Sequence, residues 1–280
     1  MGRIAFAAAM SHVLDPDYYG TNVGPAGRRM VEALMERVRA VGGRLAAGRP
    51  DALIVVADDH LNVFSFNAVP AICVRIGRHV ERMAQDHAVA FDRALEGLPD
   101  RYPLHEALAS RLLEQGLEAG FDLAMSWEAP LDHAFLSPAT TLCPDGVPPL
   151  VPIFVNCFVA PQPTPRRCYA FGQHVARVVA DGPWTVGVIA TGGMSHFPRL
   201  AYDRVGTSDV AFDRKVLGWM ESADHDALCA LTVDELDETG EHELLNWLVL
   251  LGAVGRVPAR THFFGEMGRI NLALVEWDVR

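Results

Sequence analysis

Two rhythms of apolar and polar positions alternate along this chain. Short continuous apolar runs, rich in β-branched residues, are separated by stretches where apolar residues recur every three or four positions. The first rhythm predicts strands at residues 4–9, 53–57, 71–76, 121–125, 151–155, 184–190 and 271–278. The second predicts helices over 25–41, stopped by Gly42-Gly43, and over 105–118, 168–180, 209–220 and 243–254. Residues 78–104 hold no clean period and contain Gly97, Pro99 and Pro103, so irregular structure over a cleft is expected there. Strands alternating with helices imply an α/β fold with a central, largely parallel sheet flanked by helices. No internal repeat or low-complexity linker interrupts the pattern. The run Ala160-Pro-Gln-Pro-Thr-Pro165 reads as a stiff loop rather than a boundary, so residues 1–280 are expected to form a single domain.

Composition narrows the classes. A chain of 280 residues, half of them apolar, can bury a full core. Its formal charge of −11 argues against nucleic acid or an anionic membrane as the main partner. Five cysteines with no C-x-x-C pair argue against a disulfide framework or a thiolate zinc site and favour a reducing compartment. The opening Met1-Gly-Arg-Ile-Ala-Phe-Ala-Ala-Ala-Met10 imitates a signal peptide, but its apolar core is short and runs straight into Ser11-His12, so a first strand is expected. Phe6 stands where a myristoylation signal wants Ser or Thr. The longest apolar stretch, about residues 244–254, is too short to span a bilayer. A soluble, cytoplasmic protein with no membrane partner is the expectation.

Four of the eleven histidines, His12, His60, His133 and His196, follow a strand-like apolar run. Each taken alone reads as an ordinary loop residue. Together they would meet at one edge of one sheet, where ligands of open α/β folds bind. His196 arrives on Thr191-Gly-Gly-Met-Ser-His196, whose two glycines let the backbone turn sharply after the strand. Imidazole both ligates first-row divalent metals and titrates near pH 7. The matching carboxylate is Glu243, at the first turn of an almost wholly apolar helix and on the face of Trp247. Acids at helix N-termini complement the dipole, but Glu238 and Glu241 already serve that region, and a buried carboxylate needs a counter-charge. Two histidines and one carboxylate with open positions describe a non-haem Fe(II) site. No short spacing rule fixes the ligands.

These residues carry a resemblance. Asp59-His60, Asp132-His133, Val151-Pro-Ile-Phe-Val-Asn-Cys157, Pro163-Thr-Pro-Arg-Arg-Cys-Tyr-Ala-Phe-Gly172, Thr191-Gly-Gly-Met-Ser-His196 and Glu243-Leu-Leu-Asn-Trp247 resemble, in order, the class III extradiol ring-cleavage dioxygenases. The resemblance implies that His12, His60 and Glu243 hold Fe(II), that His196 is the acid/base, and that His133 is a second active-site histidine near oxygen and substrate. It implies a catecholic substrate and O2 as partners, giving a ring-opened semialdehyde or acid, with no nucleic acid. It also implies either a homo-oligomer or a complex with a small separate α subunit. Asp59 reads as a turn former at a strand end rather than a residue orienting a ligand. Arg166-Arg167 reads as a solvated pair rather than a substrate anchor. Two other readings keep the scaffold: a zinc-dependent hydrolase with His196 as base, and a non-enzymatic binding protein, which would be expected to lack part of the triad.

Overall fold

The continuous apolar runs become the inner strands of one sheet. In the computed structural model, residues 13, 15, 85–94, 198–206, 267–269 and 280 and the side chains of 16–23 are outside the described residues. In chain order the strands are β1 (Arg3–Met10), β2 (Ala52–Ala57), β3 (Ile72–Arg75), β4 (His79–Glu81), β5 (Arg101–Pro103), β6 (Ala124–Ser126), β7 (Leu150–Val155), β8 (Thr185–Thr191), β9 (Ala259–Gly265) and β10 (Leu272–Trp277). Eight of them form a sheet in the order β6-β3-β7-β2-β8-β1-β10-β9. The central pairs β7–β2, β2–β8 and β8–β1 are parallel, whereas β3–β7, β1–β10 and β10–β9 are antiparallel. The sheet is thus largely parallel and flanked by helices. Every residue of β2 and β7 is buried, as continuous apolar runs in a two-sided sheet require.

The helices are α1 (Pro16–Gly48), α2 (Glu106–Glu118), α3 (His133–Leu142), α4 (Pro165–Ala180), α5 (Val210–Glu221), α6 (His225–Ala230), α7 (Val233–Thr239) and α8 (Leu244–Val254). Strand side chains alternate between two cores. Ile54 and Val56 join α2, α4, α5 and α8 on one face, and Leu53 and Val55 join α1 and α3 on the other. Helix α8 buries ten of its residues, Leu244 to Ala253, between α4 and the sheet. Each fully buried leucine there is worth roughly 1.5–3 kcal/mol, which anchors the helix whose first turn carries Glu243.

Several elements differ from the sequence expectation. Helix α1 runs through Gly42-Gly43 to Gly48, with a break at Gly24 (φ 73°, ψ −167°) where the predicted start at Pro25 falls. Gly42 is not a stop: a Cβ there would collide with the carbonyl of Leu142, so the glycine lets α1 approach α3 closely. The stretch 78–104 contains the antiparallel pair β4–β5, too short to show a period; its residues 85–94, including His87, lie outside the described residues. The strand expected at 121–125 is shifted to β6. The loop expected around Asp132-His133 is instead the start of α3, whose Pro138 hides its helical character in the sequence. Helices α6 and α7 and strand β9 add to the predicted set, the two helices being too short to display a period.

Candidate metal centre

Strands β1, β8 and β2 lie side by side in parallel and end together, and each passes the chain to a histidine. His12 follows β1 and is 2% exposed, His60 follows β2, and His196 follows β8. His133 reaches the same edge as the first residue of α3, fully buried. The His12 ring centroid lies 4.9 Å from that of His60 and 5.1 Å from that of His133, edge to face, while His60 and His133 stack at 4.9 Å. The four histidines named from the sequence meet at one edge, and so does Glu243.

Glu243 is the N-cap of α8, yet its side chain makes no cap hydrogen bond. It turns instead to the loop after β8, where Oε2 accepts the Gly193 N–H. Gly192 has φ 150°, and a Cβ on it would sit 2.5 Å from the Glu243 Cβ. The Gly-Gly turn therefore makes room for this carboxylate as well as delivering His196. Oε1 of Glu243 lies 3.6 Å from His12 Nε2 and 3.5 Å from His60 Nε2, and Oε2 lies 3.8 Å from His196 Nε2.

His60 is held from two sides in a left-handed backbone conformation (φ 48°). Its Nδ1 lies 3.4 Å from Asp132 Oδ2, which also accepts from Asn62 Nδ2 at 2.8 Å. Its Nε2 lies 3.2 Å from Asp58 Oδ2. The other oxygen of Asp132, Oδ1, caps α3 by accepting the Ala134 N–H. Asp59 points elsewhere and accepts the backbone N–H groups of Val63 and Phe64, the turn-forming role expected of it. On His196, Nδ1 lies 2.9 Å from the carbonyl of Met194, so Nδ1–H donates there and Nε2 is left facing the cluster. Phe158 stacks near His60 at 6.1 Å and meets His196 edge-on at 6.4 Å.

The loop bearing His196 is itself gripped. The fully buried Asp213 of α5 accepts the Ser195 N–H at 2.9 Å and the Asn271 side-chain amide. Met194 N–H donates to Asn271 O at 3.0 Å, and His196 N–H to Gly240 O at 3.0 Å.

Electrostatics set the charge states. Burial pushes His12 down to about 3, only partly offset by Glu243, so its imidazole is neutral at pH 7. Burial alone would raise Glu243, but His12, His196 and His60 hold it below the usual carboxylate range. Burial would likewise lower His60; Asp58, Asp132 and Glu243 hold it well above the ordinary histidine value. Asp58 is pushed up by burial, against the pull of His60.

These residues fit a metal ion. One donor atom each from His12, Asp58, His60 and Glu243 lie within 4.8 Å of one another, as do those of His12, His60 and His133. Among the described residues, Glu243 Oε1, Asp58 Oδ1 and His12 Nδ1 are buried without a hydrogen-bond partner. First-row divalent ions hold N and O donors at about 2.0–2.2 Å, which puts adjacent donors about 3.0–3.5 Å apart. The 3.2, 3.5 and 3.6 Å separations at this cluster are close to that spacing. Converging acceptors need positive charge between them.

Comparison with known proteins then places the chain. A family model described as "Catalytic LigB subunit of aromatic ring-opening dioxygenase" matches residues 6–275. The chain belongs to this family. Its relatives include a 2,3-dihydroxyphenylpropionate/2,3-dihydroxicinnamic acid 1,2-dioxygenase of Photorhabdus laumondii, 32% identical over 60% of this chain and 51% of that protein. A gallate dioxygenase of Pseudomonas putida is 31% identical over 56% of this chain and 48% of its own length. A further 2,3-dihydroxyphenylpropionate/2,3-dihydroxicinnamic acid 1,2-dioxygenase, from Cupriavidus necator, is 29% identical over 72% and 62%. The alignments thus span about half to three-fifths of these relatives. The crystal structure of the uncharacterized protein JW3007 from Escherichia coli K12 superposes with a TM-score of 0.60 over 98% of this chain and 99% of that one, at 18% identity, and shares the fold.

Asp58 escapes a reading of the sequence alone. Its signal is an acid directly following the fully buried strand β2, at a position where the apolar run should simply continue or end in a turn. Arg167, by contrast, donates to the Gly120 carbonyl and lies over the Phe121 ring at 4.2 Å. None of the described helices is long and apolar enough to cross a membrane.

Proposed function

We propose that this chain cleaves a catechol-type ring next to its diol with O2, using Fe(II) held by His12, His60 and Glu243. The observation that carries the proposal is that donor atoms of His12, His60 and Glu243, from the ends of β1 and β2 and the first turn of α8, lie within 4.8 Å of one another in a chain of this family. When bound, Fe(II) supplies chelation of the diol and the one-electron chemistry toward O2 that no side chain provides.

The chain's own residues do the rest. Glu243 is kept ionised and aimed by the Gly193 N–H. His12 is kept neutral by burial, so a ring nitrogen is available as a donor. His60 gives Nδ1–H to Asp132 and so presents Nε2 inward. His196 donates Nδ1–H to Met194 O, which leaves Nε2 to take a phenolic proton and later return it. His133, buried beside His12 and His60, is within reach to hydrogen-bond an oxygen on which negative charge develops. The near-complete burial of His12 and Glu243 keeps water from the anionic centre.

The related dioxygenases named for dihydroxyphenylpropionate and for gallate support a dihydroxylated aromatic as the substrate class. A second copy or a small separate α subunit would complete the assembly, and the mass of the purified particle in solution tests this. The activity is tested by anaerobic Fe(II) reconstitution followed by an oxygen-electrode panel of catechols. One O2 consumed per ring opened, with a yellow product, is expected. Iron-loaded protein that consumes no O2 with any catechol, or that hydrolyses a substrate without O2, rejects the proposal.

A further inference from the structure

We infer that Phe158 is the wall against which the substrate's aromatic ring packs, so that this side chain selects a planar diol and sets how it meets His196. The inference rests on the ring-cleavage reading above and adds to it a residue that makes no bond to the ion.

Three observations carry it. Solvent reaches the cluster through two of its side chains: His60 is 21% and His196 13% exposed, against 3% for His12 and 0% for Glu243. Phe158, on the loop after β7, is half-buried and lies against both of them. Its ring centroid is 6.1 Å from that of His60 at an interplanar angle of 29°, and 6.4 Å from that of His196 at 76°. A diol that reaches the ion beside His60 Nε2 and offers a phenol to His196 Nε2 must lie along the side chain that spans the two.

The ring is also held in place. Asn156 clamps the loop, its Nδ2 donating to Val159 O at 2.6 Å and its Oδ1 accepting the Val159 N–H at 2.9 Å. The Asn156 N–H donates to Ala71 O at 3.0 Å, and the buried Cys157 thiol donates to Asn246 Oδ1 at 3.5 Å. His242, itself 3.1 Å from Asp237 Oδ1, backs the Phe158 ring at 5.4 Å. Beside Phe158 and His60 there is about 320 Å³ of open space, walled by Phe64, Val69, Pro70 and Phe154. That is the low end of the range for small-ligand clefts.

The alternative is that Phe158 only fills the core or braces His60. A core role buries the ring, as it does for Phe154 at 3% exposure on the preceding strand. Phe158 instead keeps part of its surface open at the mouth of the cluster. Covering that surface with a flat aromatic ring removes apolar area from water and adds a ring-on-ring contact. A fixed wall also limits the angles at which the diol can approach His196.

Binding to the Co(II)-loaded protein without oxygen, followed by its visible absorption, tests this and needs no turnover. Two bidentate oxygen ligands are compared: catechol, which has a ring, and acetohydroxamate, which chelates without one. Phe158→Ala removes the wall, and Phe158→Leu keeps an apolar side chain but loses the ring. Catechol is expected to bind Phe158→Ala about 5- to 50-fold more weakly than wild type, and Phe158→Leu by a smaller factor. Acetohydroxamate affinity and the spectrum of the metal alone should not change. Equal losses for both ligands, or undiminished catechol binding in both variants, overturn the inference. A changed metal-only spectrum overturns it too, because Phe158 would then act through His60. Melting curves check folding, and Phe158→Leu decides the question if Phe158→Ala does not fold. Wild type that binds catechol here but opens no ring with Fe(II) and O2 refutes ring cleavage and leaves this result standing. Wild type that binds no catechol overturns both.

Discussion

Gly192→Ala isolates the contact between the turn after β8 and the carboxylate of Glu243. The glycine sits at φ 150°, and an added Cβ would lie 2.5 Å from the Glu243 Cβ. Backbone strain of this kind costs about 1–3 kcal/mol and an overpacked core about the same again, so the total is roughly 2–6 kcal/mol. For a chain of 280 residues the unfolding entropy is about 0.6 kcal/mol/K, so the melting point of the metal-free protein should fall by roughly 3–10 °C. If the chain relaxes by moving Glu243 instead, the hydrogen bond from Gly193 is lost. A bond to a charged group is worth about 1.5–3 kcal/mol, equivalent to a roughly 10- to 150-fold weaker metal affinity. Calorimetric melting and chelator competition read the two outcomes separately. Gly218→Ala is the control: this glycine lies within α5, nothing lies within 4 Å of its Cβ position, and alanine should stabilise by about 0.4–1 kcal/mol. A Gly192→Ala protein that melts and binds metal like wild type would refute the account of how Glu243 is aimed.

Other outcomes follow from the same geometry. His12→Ala and Glu243→Ala should come out of anaerobic reconstitution without stoichiometric iron by elemental analysis, because each removes one converging donor. His196→Ala should keep iron and bind catechol while turning over about 10²–10⁴-fold more slowly; normal kcat would remove the acid/base assignment. Asp213→Ala removes the acceptor of the Ser195 N–H and of one Asn271 amide hydrogen in the core, and should cost about 3–5 kcal/mol in denaturant melts as well as lowering kcat through the His196 loop. Burial would raise Glu276, but its hydrogen bonds from Arg44 and His262 hold it below its ordinary value of 4.5. Its contribution is therefore fully present above pH 4.5 and lost as the pH falls through the depressed folded value. Stability curves of wild type and Glu276→Gln should converge on acidification, and a constant difference would contradict the pairing.

The strand set and the histidines that follow it are legible because both rest on local pattern. A continuous apolar run such as Leu53-Ile-Val-Val-Ala57 reads as a strand buried on both faces, and a polar residue just after it lies at the sheet's edge. Glu243 is legible because a carboxylate opening an otherwise apolar helix needs a counter-charge. Helix α3 is not, since Pro138 breaks the local signal and tertiary burial of Phe135 and Leu136 sustains the helix regardless. Gly42 misleads for a related reason: a glycine admitting a neighbouring backbone looks the same in sequence as a glycine ending a helix.

The sequence by itself determined a largely parallel α/β sheet, the residue types available for metal and proton chemistry, and the family resemblance. Its reach is set by interactions a few residues long. Only the tertiary structure decided that β1, β8 and β2 end side by side, that Asp58 rather than Asp59 turns toward His60, and that Asp132 divides its oxygens between α3 and His60. Strand order and the direction of a side chain after a strand depend on what packs against them from distant parts of the chain. Neighbouring residues carry no record of that until the chain has folded.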